Sequence, residues 1–151
     1  MKSLHAVNED AGQNEPLLHQ LYQLYTAERQ LALDLSGLFH QSSSIPMRLE
    51  LSDRRRETTR HLLRIERVIQ MTTGSPASHV VAGMTTLRPS AIEPGEAGVT
   101  FEFPLRALQV AVTAYGEAIS TATLLGQASI AEILAETLGD KRNTIIALSS
   151  R

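Results

Sequence analysis

Leu17, Leu21, Leu24, Glu28, Leu31, Leu35 and Leu38 follow one another at alternating steps of four and three residues. On an α-helix that spacing lines all seven side chains along one face, whereas on a strand it would scatter them over both. Six of the seven are leucine and the middle one is a carboxylic acid. A helix with such a stripe has to bury it against other helices. The acid then needs a metal ion, a basic partner or a proton of its own, because an isolated ionised carboxylate in an apolar interior is too costly. Rotation of the helix to bring one stripe position to the surface is the bland alternative, and the length of the run argues against it.

The rest of the chain supplies three partner helices. Asn14-Glu15-Pro16 reads as the start of the first helix, with a capping side chain, an acid in the first turn and a proline whose missing N–H does no harm there. That helix is expected to end at about Gln41. Ser42, Ser43 and Ser44 followed by Ile45-Pro46 mark a break, since the residue before proline is pushed out of the α region. A second helix runs to about Thr72, where Gly74-Ser75-Pro76 stops it. The segment holding Gly83, Pro89, Pro94, Gly95 and Gly98 reads as a long crossover, with a short helix around residues 78–87. A third helix is expected from near Pro104 to Leu125, Gly126-Gln127 as a tight connection, and a fourth helix from about Ala128 to Leu148. The third repeats the seam rhythm with Leu105, Leu108, Val112, Tyr115, Ile119 and Ala122. The second turns polar at mid-length through Arg54, Glu57 and His61, and the fourth through Glu136, Thr137, Asp140 and Lys141. The expected fold is all-α, an antiparallel four-helix bundle with a long crossover between helices two and three. Residues 16–151 form its single domain, behind a flexible segment at 1–15.

Composition narrows the function classes. A chain of 151 residues is one domain by length. Fourteen Lys and Arg against sixteen Asp and Glu leave no global field for nucleic acid or an anionic membrane, so neither is expected as a partner. The absence of cysteine removes disulfides, thiolate metal sites and cysteine nucleophiles together. The polar start lacks the basic and apolar parts of a secretion signal, and no apolar run reaches a membrane span, so the expected location is cytoplasmic. No glycine-flanked nucleophile elbow or phosphate loop occurs. The arginines of the second helix, Arg54, Arg55, Arg56, Arg60, Arg64 and Arg67, read mainly as a solvated face because they spread around the axis with Asp53, Glu57 and Glu66 between them.

The polar positions at mid-length suggest one chemistry in particular. Ferritin-like di-iron and di-manganese bundles take one glutamate from each of two helices and a Glu-x-x-His pair from each of the other two. Glu28, Glu57, His61 and Asp140 are the candidate metal ligands here, with iron or manganese as the ions that a carboxylate and imidazole set suits. The set is short. Glu57 and His61 are four apart rather than three, the third-helix seam offers Ala111 and Tyr115 with Glu117 off the stripe, and Thr144 stands one turn beyond Asp140. Arg54 and Lys141 are at the same depth and would neutralise the carboxylates without a metal, fixing register more than adding stability. A polar layer that includes Arg54, Tyr115, Glu136 and Lys141, with no cofactor, is therefore the preferred expectation. His5, His19, His40 and His79 have no ligand-like companions and are expected to be structural or solvent-facing.

Several residue groups resemble one family. Tyr25-Thr26-Ala27-Glu28-Arg29-Gln30 is similar to the first-helix signature of YciF-type ferritin-like proteins, a bacterial family associated with stress conditions. Glu57-Thr58 with Arg64-Ile65-Glu66 resembles its second signature, Val81-Ala82-Gly83-Met84 its crossover, Ala114-Tyr115-Gly116 its third helix, and residues 133–138 its fourth. The resemblance implies a ferritin-like bundle, a homodimer, and a metal site to which Glu28, Glu57 and Asp140 correspond. Ala111 stands where the family has a glutamate, and Gly139 and Thr144 where acids are common. The expected function is accordingly a non-catalytic bundle with a degenerate metal site, acting through self-assembly or partner contact in a stress-related role. The alternative is a metal-dependent oxidoreductase or metal-handling protein.

Overall fold

The computed structural model describes residues 4–74 and 102–149, with side chains described from Asn14 to Gly74 and from Pro104 to Ser149. Four helices account for nearly all of them: α1 (Leu4–Gln41), α2 (Ile45–Thr73), α3 (Glu102–Leu124) and α4 (Ala128–Ser149). The breaks fall where local chemistry puts them. Ser44 is extended, at φ −79° and ψ 124°, and its hydroxyl accepts from the Met47 N–H, while Pro46 occupies the first turn, where no backbone donor is needed. Gly74 closes α2 at φ 72°, a left-handed conformation that a residue without Cβ adopts freely, and its N–H reaches Gln70 O at 2.7 Å. Gly126, at φ 71°, does the same between α3 and α4, with Gln127 N–H bonded to Ala122 O at 2.8 Å.

One boundary differs from expectation. α1 begins at Leu4 and passes through Pro16 instead of starting there. A proline inside a helix forfeits one backbone bond; Pro16 is exposed, so water can take the carbonyl it leaves free. The short helix expected at 78–87 lies outside the described residues.

Two apolar clusters fix the topology. In the first, Leu17, Leu21 and Leu24 from the early part of α1 meet Ile65, Val68 and Ile69 from the late part of α2, Ala118 and Ala122 from late α3, and Ile130 and Leu134 from early α4. In the second, Leu31, Leu35 and Leu38 meet Leu51, Leu108 and Leu148. Hence α1 and α4 run one way and α2 and α3 the other, with α1 beside α2 and α3, and α4 beside both of those. The ends joined by the connection between α2 and α3 lie at opposite ends of a bundle about 44 Å long. Among the described residues no helix is long and apolar enough to cross a membrane. Between the two clusters the interior is polar, and Glu28, His61 and Lys141 are buried there.

Candidate functional site

The centre of the layer is an ion pair. Lys141 Nζ lies 2.5 Å from Glu28 Oε1, with both side chains almost wholly inaccessible, at 1% and 2% exposure. The α1 seam delivers the carboxylate, and α4 delivers the lysine from a face that also buries Leu134, Thr137, Leu138 and Thr144. Tyr115 from α3 donates its phenol to the same Glu28 oxygen at 3.1 Å, and its ring lies 5.7 Å from Lys141 Nζ. Burial pushes the Glu28 carboxyl above its ordinary value, against the opposing pull of Lys141 and Tyr115. Burial likewise lifts the Tyr115 phenol well above its ordinary range, and the Glu28 charge adds to the effect. Tyr25, buried at the edge of the core and donating to Glu66 at 2.8 Å, is pushed up to about 12 by burial and by that glutamate. An alkaline absorbance titration should therefore find Tyr115 ionising only as the bundle unfolds; a reversible Tyr115 step in the native state would contradict the described burial.

The remaining candidates form two groups towards the α2/α4 surface. Arg54 donates to Glu57 Oε2 at 3.1 Å and to Thr144 Oγ1 at 2.8 Å, and the Thr144 hydroxyl donates to Glu57 Oε1 at 2.7 Å. Arg64 pairs with Asp140 Oδ2 at 2.7 Å and reaches Glu136 at 3.4 Å. Burial alone would raise the Asp140 carboxyl, but the bonds and charges of Arg64 and His61 outweigh it and hold the group below its ordinary value. His61 Nε2 is 3.2 Å from the same Asp140 oxygen. Burial first, and the Lys141 charge second, lower the His61 pKa to about 4, so the ring is neutral at pH 7. With an ionised carboxylate at Nε2, that nitrogen carries the hydrogen and Nδ1 is a bare acceptor. Nδ1 lies 3.9 Å from Glu28 Oε2, and neither atom has a hydrogen-bond partner.

The four candidate ligands are thus distributed over separate cations: Glu28 on Lys141, Glu57 on Arg54, and Asp140 on Arg64 with His61 beside it. Arg54, Tyr115 and Lys141 lie in the layer. Glu136 does not; its side chain is 66% exposed and touches Arg64 only at the rim. Two contributors were not anticipated. Arg64 belongs by composition to the spread of arginines around α2, yet it stands three residues after His61 and seven after Glu57 on the same helical stripe. Thr144, which stands where an acid is expected, joins Arg54 to Glu57 through its hydroxyl.

A dinuclear metal centre does not fit these residues. An ammonium group sits against one Glu28 oxygen, guanidinium groups hold the other two carboxylates, and among the described residues no group of three or more candidate ligands converges. Next to the position of Ala111 is space instead of a carboxylate: a groove of about 230 Å³ between α1 and α3, bordered by Glu28, Leu31, Ala107 and Ala111.

Comparison with known families finds a match to the model described as a domain of unknown function, DUF892, over residues 13–150. No curated protein matches the chain.

Proposed function

The chain belongs to the DUF892 family, which is YciF-like and ferritin-like, and from that premise we propose that it is a metal-free scaffold, its centre closed by its own cations. In this reading it acts in the cytoplasm, as a homodimer or through contact with another protein, in a stress-related role, and catalyses no reaction. The observation that carries the reading is the contact of Lys141 Nζ with Glu28 Oε1 at 2.5 Å. A cation already occupies the position where a ferritin-like bundle offers its first glutamate to a metal, and removing that ammonium from its carboxylate would leave both charges buried and unpaired.

Elemental analysis after anaerobic ferrous loading and desalting tests this. Substoichiometric iron is expected, and retention of about two oxidised irons per chain would overturn the proposal.

A second reading has one observation in its favour, the pair of bare acceptors Glu28 Oε2 and His61 Nδ1 at 3.9 Å. Asp140 behind His61 is the kind of carboxylate that orients a metal-binding imidazole. Two donor atoms fall short of a stable iron or manganese site. A thermal melt with saturating Fe(II) or Mn(II) separates the readings: an unchanged melting point is expected, and a rise of several degrees would favour the single-ion alternative.

A further inference from the structure

Half of the chain's cations sit on one helix. α2 carries seven of the fourteen Lys and Arg residues but only four of the sixteen acids, so a chain of net charge −2 divides into a helix of +3 and a remainder of −5. The near-neutral total hides this separation. Arg54 and Arg64 are engaged inside the polar layer. The other five, Arg48, Arg55, Arg56, Arg60 and Arg67, have no carboxylate within ion-pair distance among the described residues.

Apolar side chains stand on the same outer surface. Ile45, Leu49, Leu63 and Met71 are 73%, 63%, 60% and 46% exposed. At about 100° per residue, these four fall with Arg56, Arg60, Arg67 and a single acid, Asp53, inside roughly a third of the helix circumference, along a ridge about 39 Å long and net positive. Beside the ridge, Ser52, Arg55, Arg56 and Thr59 surround an open depression of about 390 Å³. The Thr59 hydroxyl donates to the Arg55 carbonyl at 3.0 Å, and the Arg55 guanidinium also faces the Phe39 ring at 5.3 Å, so the two guanidinium groups and the Ser52 hydroxyl are the donors offered to a phosphate.

We propose that this face of α2 docks on an anionic phospholipid surface. The arginines take the lipid phosphates and the exposed aliphatic side chains enter the headgroup layer. Basic clusters on a helix with adjacent apolar residues are attracted to anionic leaflets in this way.

Three competing occupants fit less well. A second copy placed antiparallel about the middle of the ridge sets Arg56 of one copy against Arg60 of the other. A head-to-tail copy finds no acidic face to match the ridge among the described residues, because the exposed acids Glu15, Asp53, Glu117, Glu132 and Glu136 are spread over all four helices and no more than two share one helix. Nucleic acid would use the arginines, yet leave four exposed aliphatic side chains without a role. A partner helix is received by a groove, and this ridge is the outer surface of a single helix with a polar depression beside it. A lipid plane meets all of it at once. The proposal does not depend on the polar layer and survives or fails apart from it.

Co-sedimentation of the whole chain with vesicles tests the assignment, using an equimolar mixture of phosphatidylcholine and phosphatidylserine against pure phosphatidylcholine at low salt. Binding is expected to the mixed vesicles only and to fall with added salt. R56E/R60E/R67E should lose binding by on the order of 100-fold, and L49S/L63S by about ten-fold. Because all five positions are exposed, both variants should keep the wild-type helical content and urea midpoint. The proposal is overturned by no binding to mixed vesicles, by equal binding to pure phosphatidylcholine, or by undiminished binding of the triple variant. It is overturned equally if a duplex oligonucleotide binds as tightly and is lost with the same variant, or if the variant abolishes a salt-sensitive oligomer instead of vesicle binding.

Discussion

Replacing Lys141 by methionine is expected to cost the bundle about 3 to 5 kcal/mol at neutral pH, the penalty for stranding a buried carboxylate whose partner has gone. Glu28 is 2% exposed. The loss should depend on pH, and its sign follows from the carboxyl. Burial already raises the Glu28 pKa above its ordinary 4.5, and Lys141 is the largest influence holding it down. Without Lys141 the native state binds that proton more tightly still than the unfolded chain does. Stability of K141M is therefore greatest below the unfolded value and falls as pH rises through the raised native value. The wild type has the same Glu28 contribution in weaker form. His61, whose pKa burial lowers to about 4, adds one of opposite sign, since stability rises with pH until the unfolded imidazole has lost its proton. In E28Q/K141M the ionisable pair is gone and the fall in stability towards high pH should vanish, leaving the rise that the buried neutral His61 gives. A Met–Met pair at the two positions should be neutral or stabilising by roughly 1 to 4 kcal/mol, as for other buried pairs exchanged for apolar side chains. Urea denaturation of the three variants between roughly pH 5 and 8 checks all of this. A pH-independent loss below about 1 kcal/mol in K141M would mean that Glu28 is not confined with Lys141 in solution.

How far the sequence could lead is clearest at particular residues. The stripe from Leu17 to Leu38 fixed one buried face of α1 because a helical period admits no other arrangement of six leucines, and all six are buried. Ser44, Gly74 and Gly126 placed the breaks, since capping and left-handed backbone are local matters. Pro16 misled because a favourable start signal does not forbid the helix from continuing back through it. Within the polar layer, residue types and depth were legible, and the need of Glu28 for a cation was too. Which cation was not. Lys141 and Arg54 were both available, and the choice depends on how α4 rotates against α1 and α2, a tertiary quantity that no single helix encodes. The same rotation brings Arg64 to Asp140 and leaves Glu136 at the rim. The charge separation between α2 and the remaining chain was countable from the start, but a net total conceals it until the helix boundaries and the internal pairing of Arg54 and Arg64 are known.

Tyr115 joins the apolar cluster to the layer, and substitution there should separate the two contributions. It is among the largest fully buried side chains, at 0% exposure, and packs with Leu21, Leu24, Ala118 and Leu134 in the first cluster. Y115A removes the whole ring and leaves a cavity between α1, α3 and α4, for which about 3 to 5 kcal/mol is expected. Y115F removes only the hydroxyl. Lys141 still holds Glu28 Oε1 at 2.5 Å, so that oxygen is not orphaned, and the expected cost is about 1.5 to 3 kcal/mol, typical of one bond to a charged acceptor. The ring that remains also keeps its position 5.7 Å from Lys141 Nζ, an attraction that Phe preserves and Ala does not. Because the Tyr115 bond helps to hold the Glu28 pKa down, its loss should steepen the fall in stability with rising pH in Y115F, and the added slope should disappear in E28Q/Y115F. Denaturation of the single and double variants measures both the gap and the coupling. If Y115F proves as costly as Y115A, the phenol is securing Glu28 against something Lys141 does not counter, and the ammonium cannot be the principal partner of that carboxylate.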